Sequence, residues 1–240
     1  WLEKLKLALK EDRVVNYYQP IVNPLDANDI KYEALVRLID EDGSVVSPFY
    51  FLDIAKQSRY YAQLTQVVIR KAVQFINQTG FQVSVNLSIL DIEDPVIRPY
   101  LLEQLAQAGH GKLTFELTES ESIKDYQVVL DFIDEVKALG AQIAIDDFGS
   151  GYSNFSYLVN MQADYLKIDG SIIKHILEDE NSWLVATSIV DIANKLGIKV
   201  VAEYVSEDAI QQKLLGYHAC YLQGFYLGEP QPLEDILLDC

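Results

Sequence analysis

Lys31-Tyr32-Glu33-Ala34-Leu35-Val36-Arg37 reads as a strand that carries a carboxylate and a guanidinium where an apolar run would ordinarily continue. Charge in such a setting asks for a partner. Further acidic or amide groups recur at the ends of later strand-like runs: Asn86 in VNLS, Glu116 and Glu119 in ELTES, Asp146 and Asp147 in IDDFG, and Glu203 in VVAEYV. Oxygen donors repeated at strand ends point to a divalent metal site.

Upstream of this stretch, residues 1–12 have a helical pattern and 14–22 (VVNYYQPIV) read as a strand ending near Pro20. The turn-rich connection 23–29 is shorter than the dozen or so residues that a parallel crossover needs, which predicts an antiparallel first pair. Downstream, helix and strand alternate. Helical patterns at 48–79 and 94–108 precede strands at 82–86 and 112–116. A helix through Tyr126, Val129, Leu130, Ile133 and Val136 stops at Gly140, ahead of a strand at 141–145. A short helix at 154–161 leads to a strand at 164–168, and a helix at 180–196 stops at Gly197 before a strand at 198–202. A short helix at 206–215, a strand at 219–226 and a closing helix from Pro232 complete the chain.

Eight strands alternating mostly with helices predict an α/β fold, a TIM-like (β/α)8 barrel with the first strand antiparallel; an open doubly wound sheet is the competing arrangement. In such a barrel, function gathers at the C-terminal ends of the strands. Glu33, Asn86, Glu116, Asp146, Lys167, Glu203 and Gln223 all fall there.

With 240 residues, half of them apolar and 23% charged, the chain fits one domain with a substantial core and no linker. No run of about 18 apolar residues suggests a membrane span, and the charged start Trp1-Leu2-Glu3-Lys4 lacks a secretory leader pattern. A cytoplasmic location, without direct membrane contact from this segment, is the expectation. A helical start without Met suggests a domain cut from a longer multidomain regulatory protein. Nineteen basic against 36 acidic side chains, a net charge of -17, disfavour DNA or any long nucleic acid as partner. Cys220 and Cys240 read as free thiols, and His110, His175 and His218 as bystanders.

Asp146 and Asp147 leave a strand side by side into Phe148-Gly149-Ser150-Gly151-Tyr152-Ser153. Neighbouring carboxylates repel unless something positive lies between them, and hard oxygen ligands favour Mg2+ or Mn2+ over zinc. Two such ions roughly 3.5–4 Å apart form the clamp used in phosphoryl transfer. Taken singly, Asp146 also reads as a helix cap, Asn86 as a turn residue and Glu116 as a surface acid. Glu119 reads as a helix cap or as a brace for the Asp147 loop. Lys167, inside an apolar strand, reads as a group that orients water, neutralises charge or forms a Schiff base; its structural alternative is an ion pair with Asp169 or Asp147.

These residues resemble the EAL family, named for its Glu-Ala-Leu tripeptide. The resemblance rests on Tyr17-Tyr18-Gln19-Pro20, Glu33-Ala34-Leu35-Val36-Arg37, Asn86 in VNLS, Glu116-Leu117-Thr118-Glu119, Asp146-Asp147-Phe148-Gly149-Ser150-Gly151, Lys167-Ile168-Asp169, Ala202-Glu203 and Gln223-Gly224-Phe225. It implies hydrolysis of cyclic di-GMP to linear pGpG by two-metal-assisted attack of water on a phosphodiester. It further implies that Glu33, Asn86, Glu116 and Asp146 hold one Mg2+ or Mn2+ ion, while Asp146, Asp147 and Glu203 hold a second. Lys167, Glu33, Asp147, Glu203 and Glu119 are the implied catalytic groups. Gln19, Leu35, Arg37, Asn86, Asp169 and Gln223 are the implied substrate contacts. A homodimer through the Phe148–Phe155 region and an upstream regulatory domain are implied as well.

Two positions depart from the family pattern Ala-Glu-Gly-Val-Glu: Tyr204 stands where it has Gly, and Ser206 where it has the second Glu, with Glu207 one residue late. They leave open a low-activity domain that serves as a cyclic di-GMP receptor, or compensation by Glu207 through a bulge. A Schiff-base aldolase on Lys167 is the further alternative.

Overall fold

The computed structural model describes residues 1–118, 126–151, 155–217 and 220–238, with the side chains of 156, 157 and 220 left aside. Eight strands close a barrel: β1 (Val14–Asn23), β2 (Asp26–Ile39), β3 (Gln82–Asn86), β4 (Leu113–Thr118), β5 (Gln142–Phe148), β6 (Tyr165–Ile168), β7 (Lys199–Ala202) and β8 (Cys220–Gln223). β2 through β8 pair in parallel succession, and β1 closes the ring antiparallel to both β2 and β8. Closure on both sides of β1 excludes the open sheet.

The β1–β2 connection is tighter than the sequence suggests. Both strands run on to a turn at residues 24–25, with Asn23 opposite Asp26. Residues 26–29 look like loop chemistry because Asp and Asn dominate them, yet they belong to β2: Asp26 pairs with Asn23, and 27–29 form an irregularity before the regular ladder resumes at Ile30. Pro20 does not end β1; it lies between the stretch that pairs with a two-residue strand at Gln231–Pro232 and the stretch that pairs with β8. A residue without an amide proton fits that gap in the ladder.

The long helical region resolves into a short 3-10 turn (Pro48–Tyr50) and helices at Leu52–Lys56 and Tyr61–Thr79. The last of these stops on Gly80, whose left-handed φ of 75° closes the helix. The helix expected at 94–108 runs from Ile97 to Ala108, and a separate short helix at Ile89–Glu93 precedes it. Helices bury apolar faces on the outside of the barrel: Ile69, Phe75, Leu101, Phe132, Ile133 and Ala193 are all fully buried there. Among the described residues no helix is long and apolar enough to cross a membrane.

Inside the ring, side chains alternate in and out along each strand, so the lumen is lined from every strand. At its N-terminal end Lys31 lies 3.7 Å above the Tyr221 ring and pairs with Asp29 at 2.9 Å, closing the floor. Above it, a space of about 20 Å³ bordered by Ser84, Thr114, Glu116 and Lys167 is about the size of one water. The interior is therefore packed up to the level of the charged groups.

Candidate active site

Lys167 is the centre of the barrel mouth. Only 2% exposed, its ammonium stands 2.7 Å from Glu116, 2.9 Å from Glu203, 3.1 Å from Asp146 and 3.2 Å from Glu33. The four acids come from β2, β4 and β5 and from the residue just past β7, so the closed ring is what brings them together. The structural alternative, a pairing of Lys167 with Asp169 or Asp147, does not form; its ion pairs go to the four lumen acids instead.

Glu33 is held by three further donors or neighbours. Asn86 Nδ2 donates to its Oε1 at 2.8 Å and Gln223 Nε2 to its Oε2 at 2.7 Å, while Gln19, opposite it in register, accepts from the same Gln223 amide at 3.2 Å. Burial pushes the Glu33 carboxyl up, but the Lys167 charge and these bonds outweigh it and hold Glu33 below the usual range. Glu116 goes the other way. Burial, then the charge of Glu33, lifts it well above the ordinary value despite Lys167. Lys167 itself loses by burial yet gains from Asp146, Glu116, Glu33 and Glu203, and is held well above the normal lysine value. The four acids therefore favour its ammonium form. A Schiff-base nucleophile needs a depressed pKa, so this environment opposes the aldolase alternative.

Asp147 reaches the mouth through a break in the strand. The β5–β6 register shifts between Ile145 and Phe148, and Asp147 takes a left-handed φ of 56°, a region that Asp tolerates better than most residues. In a regular strand Asp146 and Asp147 would face opposite sides; here oxygens of Asp146, Asp147 and Glu203 lie within 4.8 Å of one another. Burial and the charges of Asp146 and Asp169 raise Asp147 to about 6, and burial with Asp146 and Glu33 raises Glu203 to about 7 against the pull of Lys167.

Toward solvent, Leu35 and Arg37 continue up the same face of β2. Arg37 lies over the Tyr17 ring at 5.8 Å and donates to the Val36 carbonyl at 2.9 Å. Leu35 and Asn86 border a cavity of about 250 Å³ whose wall also includes Pro48, Leu52, Leu87 and Thr118. Asp169 caps the short helix Gly170–Ile173 by accepting from Ser171 N at 2.9 Å, and so stands at the β6 exit. Glu119 lies outside the described residues, as do His218, Cys240 and residues 152–154 of the Phe148–Phe155 region.

Glu207 does not return to the site through a bulge. It is an exposed residue at the N-cap of the helix Asp208–Leu215, with Ser206 exposed beside it. Tyr204 adopts a left-handed φ of 58°. The sequence reading missed Asp91, fully buried, which accepts from Thr65 Oγ1 at 2.6 Å, Tyr61 Oη at 2.8 Å, Ser88 N at 2.9 Å and Ser88 Oγ at 3.0 Å. This knot ties the turn after Asn86 to the helix Tyr61–Thr79. Its signal was the Ser88-x-x-Asp91 spacing, a capping box.

A family model described as EAL domain matches residues 2–230. The cyclic di-GMP phosphodiesterase PdeF of Escherichia coli is 34% identical over 98% of this chain, and the cyclic di-GMP phosphodiesterase PdeA of Borreliella burgdorferi is 31% identical over 94%. The chain spans about a third of each of these longer proteins, 32% and 35% of their lengths. Among solved structures, the PaMucR phosphodiesterase in complex with c-di-GMP is 31% identical, with a TM-score of 0.89 and 98% of both chains covered. With its family pattern matched from the first helix to the last barrel strand, this chain belongs to the EAL domain family.

Proposed function

We propose that the chain hydrolyses cyclic di-GMP to linear pGpG, adding water across one phosphodiester. The observation that carries the reading is the Lys167 ammonium surrounded by four carboxylates, with Asp147 alongside. Fully ionised, five carboxylates and one ammonium would carry four uncompensated negative charges, the charge of two divalent cations, and the upward shifts of Glu116, Asp147 and Glu203 reflect burial together with that excess.

The donor set suits Mg2+ or Mn2+: all hard oxygens, drawn from rigid strand ends. Asp146 Oδ1 is buried with no aligned hydrogen-bond donor, although Lys167 Nζ is within ion-pair distance at 3.1 Å, so a lone pair is left for a cation. Glu33, Asn86, Glu116 and Asp146 would hold one ion, and Asp146, Asp147 and Glu203 the other. Bound there, the ions would lower the pKa of a water and neutralise charge developing on phosphate oxygens.

The chain's own groups do the rest. Lys167, held as an ammonium by the surrounding acids, orients water and offsets negative charge near phosphorus. Arg37 presents a planar fork to a phosphate oxygen. Leu35 with the adjoining cavity takes apolar base surface, and Gln19, Asn86, Asp169 and Gln223 supply polar contacts. Assembly as a homodimer and control by a further regulatory domain belong to the same proposal.

One observation favours a second reading, a c-di-GMP receptor with slow turnover: Tyr204 brings an aromatic side chain next to Glu203. Incubation of purified protein with cyclic di-GMP and Mg2+ or Mn2+, followed by chromatography, decides between them. The hydrolase yields pGpG that disappears on chelation. Tight binding without pGpG supports the receptor, and neither binding nor product overturns both.

A further inference from the structure

The backbone conformation of Tyr204 is one that side-chain-bearing residues enter at a cost, and aromatic residues rarely. Among the described residues only Asp12, Asp147, Gln162 and Tyr204 have positive φ without being glycine, and Tyr204 is the one aromatic. Such a conformation persists where the surroundings fix it. Here they do so from both sides. Glu203 N donates to the Ile168 carbonyl at 3.3 Å, and Val205 N donates to the Gln223 carbonyl at 3.0 Å, so the residues before and after Tyr204 are tied to neighbouring strand exits.

The side chain is fixed at its base as well. A Cβ on Gly170 would lie 2.8 Å from Tyr204 Cβ and 3.3 Å from its Cγ, so the glycine that follows Asp169 makes the seat on which Tyr204 rests. Yet the residue is 57% exposed. Its ring is therefore seated without being buried for packing, against the β6 exit at Gly170 and one residue along the chain from Glu203. The next strand exit carries a second solvent-facing ring, Phe225 at 68% exposed, and the backbones that follow the two residues are tied by Tyr226 N donating to the Val205 carbonyl at 3.2 Å.

An aromatic face held in place and left open to water beside a phosphodiester site suits a flat, π-faced group attached to that phosphodiester. Resting on the hydrolase reading above, we propose that Tyr204 is a substrate-binding residue, a platform on which one purine base of the cyclic dinucleotide stacks. It sets affinity, while the acid cluster sets the rate of bond cleavage. The strained backbone is what places the platform there; a glycine would relax the conformation and remove the ring.

Steady-state kinetics of the parent with Tyr204→Phe, Tyr204→Leu and Tyr204→Gly test this. Phe keeps the stacking face and leaves KM within about twofold; Leu, bulky but without a π face, and Gly, free of strain, each raise KM about tenfold with kcat within about twofold. Leu matching Phe overturns the platform, as does a Gly variant with raised kcat and unchanged KM, which marks Tyr204 as steric cover. Glycine adopts this φ freely, so the Gly variant guards against loss through misfolding. Equilibrium dialysis of cyclic di-GMP against the same four proteins gives the ranking without turnover. Should the parent bind and Leu bind as tightly as Phe, the platform alone falls; a parent that neither binds nor cleaves takes the hydrolase reading down with it.

Discussion

The ammonium of Lys167 lies 2.7 Å from Glu116 Oε2, with the two side chains 2% and 1% exposed. This pair is the inner end of an electrostatic system in which one cation serves four anions. Removing it leaves buried carboxylates that face one another, a change that costs roughly 3–5 kcal/mol where a buried pair is broken. Lys167→Met is expected to lower the urea stability of the metal-free protein by about that amount, with part recovered by Mg2+ or Mn2+, and to reduce turnover at least about a hundredfold. A Lys167→Met protein as stable as the parent in chelator contradicts this account.

The acids at the metal-facing side titrate in a range open to experiment. Asp147 and Glu203 are raised to about 6 and about 7, so the folded protein keeps protons there that the unfolded chain has lost. Their stabilising contribution is complete below the unfolded carboxylate values and is lost as pH rises through 6 to 7. Glu33, shifted downward, has the opposite sign but acts below the ordinary carboxylate value. The Tm of the metal-free protein should therefore fall between about pH 5 and about pH 8, and saturating Mg2+ should flatten the fall. Calorimetry in buffers of differing ionisation enthalpy should show proton release on Mg2+ binding near pH 6 that vanishes above about pH 8. A pH-independent Tm, or no proton release, counts against the arrangement.

Arg37 tests the substrate side. Its guanidinium is oriented over Tyr17, and Lys would keep the charge while losing the planar fork. Arg37→Lys should cut kcat/KM by about ten- to a hundredfold, mostly through KM, with the Tm unchanged. Kinetics equal to the parent's would place the phosphate elsewhere.

Glu33→Ala and Asp146→Ala should abolish pGpG formation while leaving far-UV circular dichroism unchanged. Full activity in either removes these residues from the site.

Asp91 concerns the scaffold. Asp91→Ala takes the shared acceptor from Thr65, Tyr61 and Ser88 and should cost about 2–4 kcal/mol in denaturant unfolding. Asp91→Asn should cost less, since one oxygen still accepts. A loss under about 1 kcal/mol for Ala would show that the knot is redundant.

The strand-end position of each lumen group was legible because strands announce themselves by composition and a barrel turns strand ends into one surface. The reversed first strand was legible too, from a connection too short for a crossover. What escaped was geometry that spans the ring. No local pattern says that Lys167 meets Glu33, Glu116, Asp146 and Glu203 rather than its sequence neighbours, because those contacts exist only after closure. Nor does adjacency of Asp146 and Asp147 announce the break that lets both face the mouth. Glu207, close in sequence, is carried off by the start of a helix. Residues 26–29 misled for a local reason: Asp26 Oδ1 accepts from Asn28 N at 3.0 Å, turn chemistry at an irregularity inside a strand.

The amide of Gln223 reaches Glu33 across 190 residues of chain, and β8 is the strand that seals β1. During synthesis the ribosome thus has to release the chain through Gln223 before the ring can shut. A nascent or truncated product lacking β8 would have an unzipped seam and an acid cluster missing its last support. Ring closure is thus a late event in the making of this domain, set by the emergence of β8 rather than by any earlier strand.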